Sequence, residues 1–356
     1  MPFDSGYCVK RKTMTMSSPH RSMQAIQINH YGGRDAMRLA DAEIPHPGAG
    51  EALLRLEFAG VNFIDVYMRE GHYQGSATYG SALPFTLGME GAGSVEAVGA
   101  GVTQVDIGDR VAYCLTRGSY ARYATVPAWR LVKLPDGVNY QTGTALMLQG
   151  LTAHYLSHSA FPLDASHSCL VHAGAGGVGR LLIQLARRRG ARVIATVGSA
   201  AKAEIVRKLG ADLAIQYRDT DFERAVNDAT DGRGVDVVYD SVGKDTIERS
   251  LLCLRRRGTC INYGGSSGLV AEISPLALAE AGSVFFTRPH LAHYLTDRAE
   301  LNLRATDLFT AYAAAELDVN IDRVFPLTGA SDAHAALESR STSGKLLLAM
   351  SDRPAH

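Results

Sequence analysis

Formal net charge is missing from this 356-residue chain: Lys+Arg and Asp+Glu each number 36. That balance argues against a nucleic-acid binder that depends on a global basic field, although a local basic patch stays open. Long apolar runs are missing too. None reaches the roughly 18 residues that a membrane-spanning helix requires. Cysteine is scarce: Cys8, Cys114, Cys169, Cys253 and Cys260 are odd in number, scattered, and include no CxxC pair. A disulfide framework and a cysteine-rich zinc site are both disfavoured, and a reducing compartment, the cytoplasm, is the expected home. What is present is the composition of a globular protein, 46% hydrophobic and 20% charged. The chain is long enough for two domains of roughly 150 residues.

Residues 1–22 differ from the rest. MPFDSGYCVKRKTMTMSSPHRS holds four Lys/Arg against one Asp, with several Ser and Thr and no stretch apolar enough for a signal peptide. A flexible leader, upstream of Met14, Met16 or Met23, is preferred to an organelle transit peptide because chain ends are commonly unstructured. From Met23 short strands follow one another: MQAIQI, EALLRLEFAGV, GAGSVEAVGAGV, GDRVAY and GSYARYATV, separated by Gly, Pro and Asp. Their spacing predicts a β-rich unit of barrel type over residues 23–147. Over residues 148–289 the pattern becomes strand-helix alternation. Strands are expected at Cys169–Ala173, Val193–Val197, Ala214–Ile215, Val235–Tyr239, Thr259–Tyr263 and Val284–Thr287. Their nearly continuous apolar, β-branched composition fits a parallel sheet covered on both faces, hence a doubly wound α/β domain. After Pro289 come a helix from Arg298 to about Leu317 and an apolar strand, Lys345–Met350. Standing apart from the α/β repeat, that strand predicts a return of residues 290–356 to the β-rich unit, with the α/β domain as an insertion.

Strand CLVHA runs straight into Gly174-Ala175-Gly176-Gly177-Val178-Gly179 and then RLLIQLARRRG. Val178, Leu181, Leu182, Leu185 and Ala186 recur at helical spacing and Gly190 stops the run, so a helix opens directly at the turn. Glycines there allow a sharp bend and let backbone N–H groups approach a pyrophosphate at the positive end of the helix; Gly179 allows close helix–strand packing. The motif gains weight from its context, between a buried strand and an amphipathic helix. An NAD site would place an Asp or Glu about 20 residues further on. Here strand ARVIATV ends in Gly198-Ser199-Ala200-Ala201-Lys202, with no acid before Glu204. A 2′-phosphate would meet no carboxylate and could bond Ser199 and Lys202, with Tyr217 and Arg218 closing over the adenine end. NADPH is therefore expected rather than NADH. Loops at later strand ends should line the same crevice, with Ser241, then Tyr263, Gly264 and Ser266, then Phe286, Thr287 and Arg288 as contacts.

GVNFIDVYMREGHY, LPFTLGMEGAGSVEAVGAGV, QGLTAHYL, HAGAGGVG, VVYDSVGKDT, YGGSSG and TRPHLAHY resemble the zinc-free quinone oxidoreductases of the medium-chain dehydrogenase/reductase superfamily, the group that includes zeta-crystallin. The resemblance covers about Met23 to Met350. It implies a GroES-like catalytic domain with an inserted Rossmann domain, an NADPH cofactor, a small-molecule quinone or enone substrate, and a homodimer formed through the Rossmann sheets. The chain departs from the pattern at Gly174, where bacterial relatives commonly carry Ala, and at Gln149, where many carry Lys. Metal-using members of the superfamily place a Cys where this chain has Asn62 and a His where it has Met89. They also carry a four-cysteine lobe, and nothing between Tyr113 and Trp129 supplies one. Met and a neutral amide are poor zinc ligands, so no metal site is expected.

A metal-free site of this kind transfers hydride to an already electrophilic acceptor, a quinone or an α,β-unsaturated carbonyl. Hydrogen-bond donors near the acceptor carbonyl would steady the charge that develops there. The resemblance assigns Asn62, Tyr67 and Tyr73 to the catalytic site. It puts Asn62, Ile64, Tyr67 and Thr152 towards the nicotinamide end and Tyr73 at the substrate mouth. No dedicated general acid stands out. NADPH:quinone reduction is the leading expectation and reduction of alkenals or other enones the alternative. A third is non-catalytic cofactor binding, crystallin-like or RNA-binding. The local candidates are the basic runs Arg187–Arg189 and Arg255–Arg257, and such runs more often mark solvated helix ends, so no nucleic-acid partner is expected.

Overall fold

The structure, a computed structural model, describes residues 22–80 and 82–351. The leader expectation lies outside the described residues except for Ser22, which opens the first strand. Strands β1 (Ser22–Ile28), β2 (Met37–Glu43), β3 (Glu51–Val61), β4 (Phe85–Thr86), β5 (Glu90–Val98), β6 (Arg110–Cys114), β7 (Tyr123–Pro127) and β8 (Val132–Lys133) form the β-rich part. β2, β1 and β4 make a small antiparallel sheet. β3, β5, β6 and β8 run side by side in a larger one, with β7 also paired to β3.

Strands β9 (Ser168–Val171), β10 (Arg192–Val197), β11 (Leu213–Gln216), β12 (Val235–Asp240), β13 (Leu254–Asn262) and β14 (Phe285–Thr287) form one parallel sheet in the order β11-β10-β9-β12-β13-β14. In β9 and β10 consecutive residues, Cys169–Val171 and Val193–Ala195, are apolar because both faces are buried. Cys169 and Val171 join the core shared with the β-rich part, whereas Leu170 between them joins a second core on the opposite face; Val193, Ile194 and Ala195 repeat the division. The strand order reverses between β9 and β12. Loops leave these two strands in opposite directions, which opens a crevice at their carboxyl ends.

The chain then returns. β15 (Ile321–Pro326) pairs parallel with β16 (Lys345–Ala349), and β16 pairs antiparallel with β3, placing Leu346 opposite Val61. The doubly wound sheet is therefore an insertion in the β-rich unit. The helix expected from Arg298 spans Arg298–Ala313. Helical residues 140–160 link the two sheets at the back of the crevice.

Candidate active site

A cleft of about 730 Å³ lies between the two parts, with walls from both. At its centre β9 gives way to His172, Ala173 (φ +50°) and then the helix Gly177–Arg188. The N-cap residue, Gly176, offers no side-chain oxygen. The first N–H groups of the helix thus lack both an intrahelical partner and a cap, and Gly176, Gly177, Val178 and Gly179 line the cleft. This is an anion-accepting terminus. Gly179 packs so closely that a Cβ would lie 2.5 Å from the Ala173 carbonyl oxygen, while one on Gly177 would lie 2.1 Å from Gln149 Oε1. Gly174 was expected to contact the cofactor and does not line the cleft. Its α-carbon faces β10, where a Cβ would meet that of Ala195 at 2.9 Å.

At one end of the cleft Ser199 caps the helix Ala200–Lys208, its Oγ accepting the Lys202 N–H. Tyr217 and Arg218 overhang Gly198, with Tyr217 Oη 3.2 Å and Arg218 Nε 3.7 Å from where a Cβ there would stand. Lys202 is less free than its sequence context implies. Its Nζ donates to the carbonyls of Arg340 and Thr342, each at 2.8 Å, and burial lowers its pKa. This tether draws loop 339–344 over the cleft and brings in Arg340, whose Nη2 donates to Ser266 O at 3.0 Å. Arg340 escaped sequence reasoning because SRSTSG carries no period or motif.

The loops after β12 and β13 are held by buried polar anchors. Asp240 Oδ1 accepts the N–H groups of Val242 and Gly243 at 2.8 and 2.9 Å, and its Oδ2 accepts the hydroxyls of Thr246 and Ser250. That fixes the turn carrying Ser241. Arg288 Nη1 donates to Asn262 O at 2.9 Å and Gly264 O at 3.3 Å, bracing the Tyr263–Gly264 segment. Ser241, Tyr263, Gly264, Ser266 and Arg288 all line the cleft. Phe286 and Thr287, expected beside them, do not. Phe286 packs into the second core, and Thr287 is exposed on β14, at the edge of the sheet.

At the other end stand Asn62, Ile64, Tyr67, Tyr73 and Thr152. Asn62 precedes the helix Phe63–Arg69, and its backbone N–H donates to Asp65 Oδ2 at 2.9 Å. Tyr67 Oη accepts the N–H of Gly265 at 2.9 Å; burial pushes its pKa up to about 12, so the phenol keeps a proton of its own to donate. Burial raises the Tyr73 pKa as well. The Thr152 hydroxyl donates to Leu148 O at 2.6 Å, which leaves it only acceptor capacity. Two residues missed by sequence reasoning complete this end. Tyr79 and His290 stack at 5.2 Å with 15° between their planes, and Tyr73 meets Tyr79 at 5.1 Å. Tyr73 leans against this stacked pair at 59° to Tyr79 and 57° to His290, so the three rings make an angled aromatic wall.

Beneath Asn62 a buried Lys345–Glu90 ion pair closes the site. Lys345 Nζ also donates to Asn62 Oδ1 at 2.7 Å, and Asn62 Nδ2 donates to Glu90 Oε2 at 2.9 Å. These groups do not fit a zinc ion: the carboxylate is already paired with an ammonium, and the neighbouring side chains are an amide and the thioether of Met89. Elsewhere, the ligand atoms of His154, His158 and Asp307 come within 4.8 Å of one another. There Arg304 Nη1 donates to His154 Nδ1 at 3.2 Å, so the ring proton sits on Nε2, facing Asp307 at 3.3 Å. An Arg–His–Asp hydrogen-bonded chain thus engages His154 and Asp307, two of the three residues of that cluster.

Residues 48–136 match the alcohol dehydrogenase GroES-like domain family, and residues 177–295 match the zinc-binding dehydrogenase family. A quinone oxidoreductase from Pseudomonas aeruginosa is 39% identical over 324 residues, 91% of this chain and 98% of that protein. A 2-haloacrylate reductase from a Burkholderia species is 40% identical over 330 residues, 92% of this chain and 98% of that one. The crystal structure of Escherichia coli quinone oxidoreductase complexed with NADPH is similar with a TM-score of 0.88 at 38% identity, covering 92% of this chain and 99% of the other.

Proposed function

Since this chain belongs to the quinone oxidoreductase family of the medium-chain dehydrogenase/reductase superfamily, we propose that it reduces quinones with NADPH and without zinc. One observation carries the proposal: the uncapped, glycine-lined helix terminus at Gly177 opens into the same cleft as the phenols of Tyr67 and Tyr73. The N–H groups of Gly177, Val178 and Gly179 would hold the diphosphate. Ser199, Lys202, Tyr217, Arg218 and Arg340 would hold the adenosine 2′-phosphate end, and Ser241, Tyr263, Gly264, Ser266 and Arg288 the intervening wall. NADPH, when bound, supplies the hydride. The chain's own catalytic residues, Asn62, Tyr67 and Tyr73, supply hydrogen-bond donors for the charge that gathers on the acceptor oxygen.

Reduction of enones is the second reading, favoured by the similarity to a 2-haloacrylate reductase. Steady-state turnover of 1,4-benzoquinone and of a 2-alkenal, measured side by side with NADPH, separates them. Faster quinone turnover supports the first reading; turnover confined to the alkenal overturns it.

The same proposal includes domains bounded at 147/148 and 289/290, a homodimer and a cytoplasmic location. Support for the dimer is the open edge of the parallel sheet at β14, where Phe285 is 62% exposed. Support for the location is that Cys114, Cys169, Cys253 and Cys260 are all free and buried. Among the described residues no helix is long and apolar enough to cross a membrane.

A further inference from the structure

The ion pair under Asn62 has a chemistry of its own. Glu90 is 0% exposed and Lys345 1%. They lie 255 positions apart in the chain and meet because β5 and β16 flank β3 on either side. Gly60, on β3 between them, makes the room: a Cβ there would lie 1.9 Å from Glu90 Oε2 and 2.8 Å from Lys345 Cε. Removing two charges from water is costly, and a buried pair is weak evidence of stabilisation for its own sake. Its contacts indicate what it does instead.

An ammonium only donates and a carboxylate only accepts. Lys345 Nζ therefore requires the oxygen of the Asn62 amide, and Glu90 Oε2 requires its nitrogen. Gln149 Nε2, 3.4 Å from the same Oδ1, adds a second donor to it. Exchanging the amide's oxygen and nitrogen would set donor against donor and acceptor against acceptor. The second oxygen of Glu90 is bonded by the Leu148 N–H, which stops the carboxylate from turning. One Nδ2 hydrogen of Asn62 is left without a protein partner, on a side chain that lines the cleft.

We propose that Lys345, paired with Glu90, is a positioning residue of the reduction: it locks the Asn62 amide so that its free N–H serves the acceptor oxygen at the reacting end of the cleft. The proposal rests on the quinone-reductase reading. The charge behind the amide is fixed before substrate arrives, so no reorganisation is needed as the oxygen becomes anionic.

A coupling cycle in the full-length protein tests this. It compares wild type, Asn62→Ala, the double variant Glu90→Gln/Lys345→Met, and the triple variant. NADPH affinity is read by fluorescence titration, kcat with 1,4-benzoquinone, and folding by thermal melting. The double variant removes both charges together, so neither is left buried alone. The expected result is kcat lowered roughly 10- to 100-fold in both Asn62→Ala and the double variant, with NADPH affinity in the double variant, which keeps the Asn62 side chain, within about twofold of wild type. The triple variant should be no slower than Asn62→Ala, because Lys345 acts through Asn62. Unchanged kcat in the folded double variant, or losses that multiply in the triple, overturns the proposal. If the double variant does not fold, Glu90→Asp keeps both charges and withdraws the carboxylate from Asn62 Nδ2; full kcat there overturns it equally. Lack of wild-type turnover with either quinone or enone would instead overturn the functional reading, and this one with it.

Discussion

The phenol oxygen of Tyr67 accepts the backbone N–H of Gly265 at 2.9 Å across 198 residues of sequence. Tyr67 belongs to the helix after β3, and Gly265 to the loop after β13. The bond ties one wall of the cleft to the other. Hydride transfer needs donor and acceptor held within about 3–3.5 Å, and this bond spans the cleft in which they would meet.

Tyr67→Phe leaves the buried Gly265 N–H without its acceptor. The variant should lose about 1–3 kcal/mol of stability in denaturant melts. Its kcat for NADPH-dependent quinone reduction should fall as well, since the phenol's own proton is also removed. Full stability together with full kcat would contradict the assigned role.

Lys202 has two parts to play, holding loop 339–344 and meeting a 2′-phosphate. Lys202→Ala loosens the loop for either coenzyme but removes a charged hydrogen bond only from NADPH. The expected result is an NADPH KM raised by about 1–3 kcal/mol in binding terms, with a much smaller rise for NADH. Equal effects on both coenzymes would show that the ammonium does not meet the phosphate.

Asp65 gives a pH signature. It is fully buried; its Oδ2 accepts from Asn62 N and, at 3.2 Å, from Tyr120 Oη, while Oδ1 has no partner. Burial raises its pKa from 3.8 to about 7, against the lowering pull of the Asn62 N–H and Lys345. The folded state therefore binds the proton more tightly than the unfolded one. Its contribution is complete below pH 3.8 and is lost as pH rises through about 7. His154 and His334, whose pKa values burial lowers to about 3, act in the opposite sense at acidic pH. Comparison with Asp65→Asn cancels them. The variant should gain thermal stability relative to wild type as pH rises from 4 to 8; parallel melting curves over that range would refute the assignment.

Much of the fold could be read from residue patterns. The strand expected at Val193–Val197 is Arg192–Val197, and the helix expected after the glycine turn is Gly177–Arg188. Burial on both faces writes itself as an unbroken apolar run, and a phosphate turn as clustered glycines. β2 and β15 went unread because both are largely exposed or half-exposed and carry no apolar period. At the site, Asn62, Tyr67 and Tyr73 were found by resemblance, whereas Lys345 and Glu90 were not found at all. A lone Lys opening KLLLA reads as a solvated strand end, and only the pairing of β5, β3 and β16 shows that it faces a carboxylate. Gly174 packs against β10 rather than lining the cleft, because a glycine in the motif can serve strand packing as well as ligand approach.

Single-turnover oxidation of NADPH by 1,4-benzoquinone, compared between wild type and Gly177→Val, tests the central claim most directly. The valine side chain would enter the space of Gln149 and crowd the uncapped helix terminus. Rapid oxidation by the wild type, with none by a variant whose β-rich domain stays folded, is the predicted result. Equal rates in the two proteins would mean that the coenzyme is bound somewhere other than this turn.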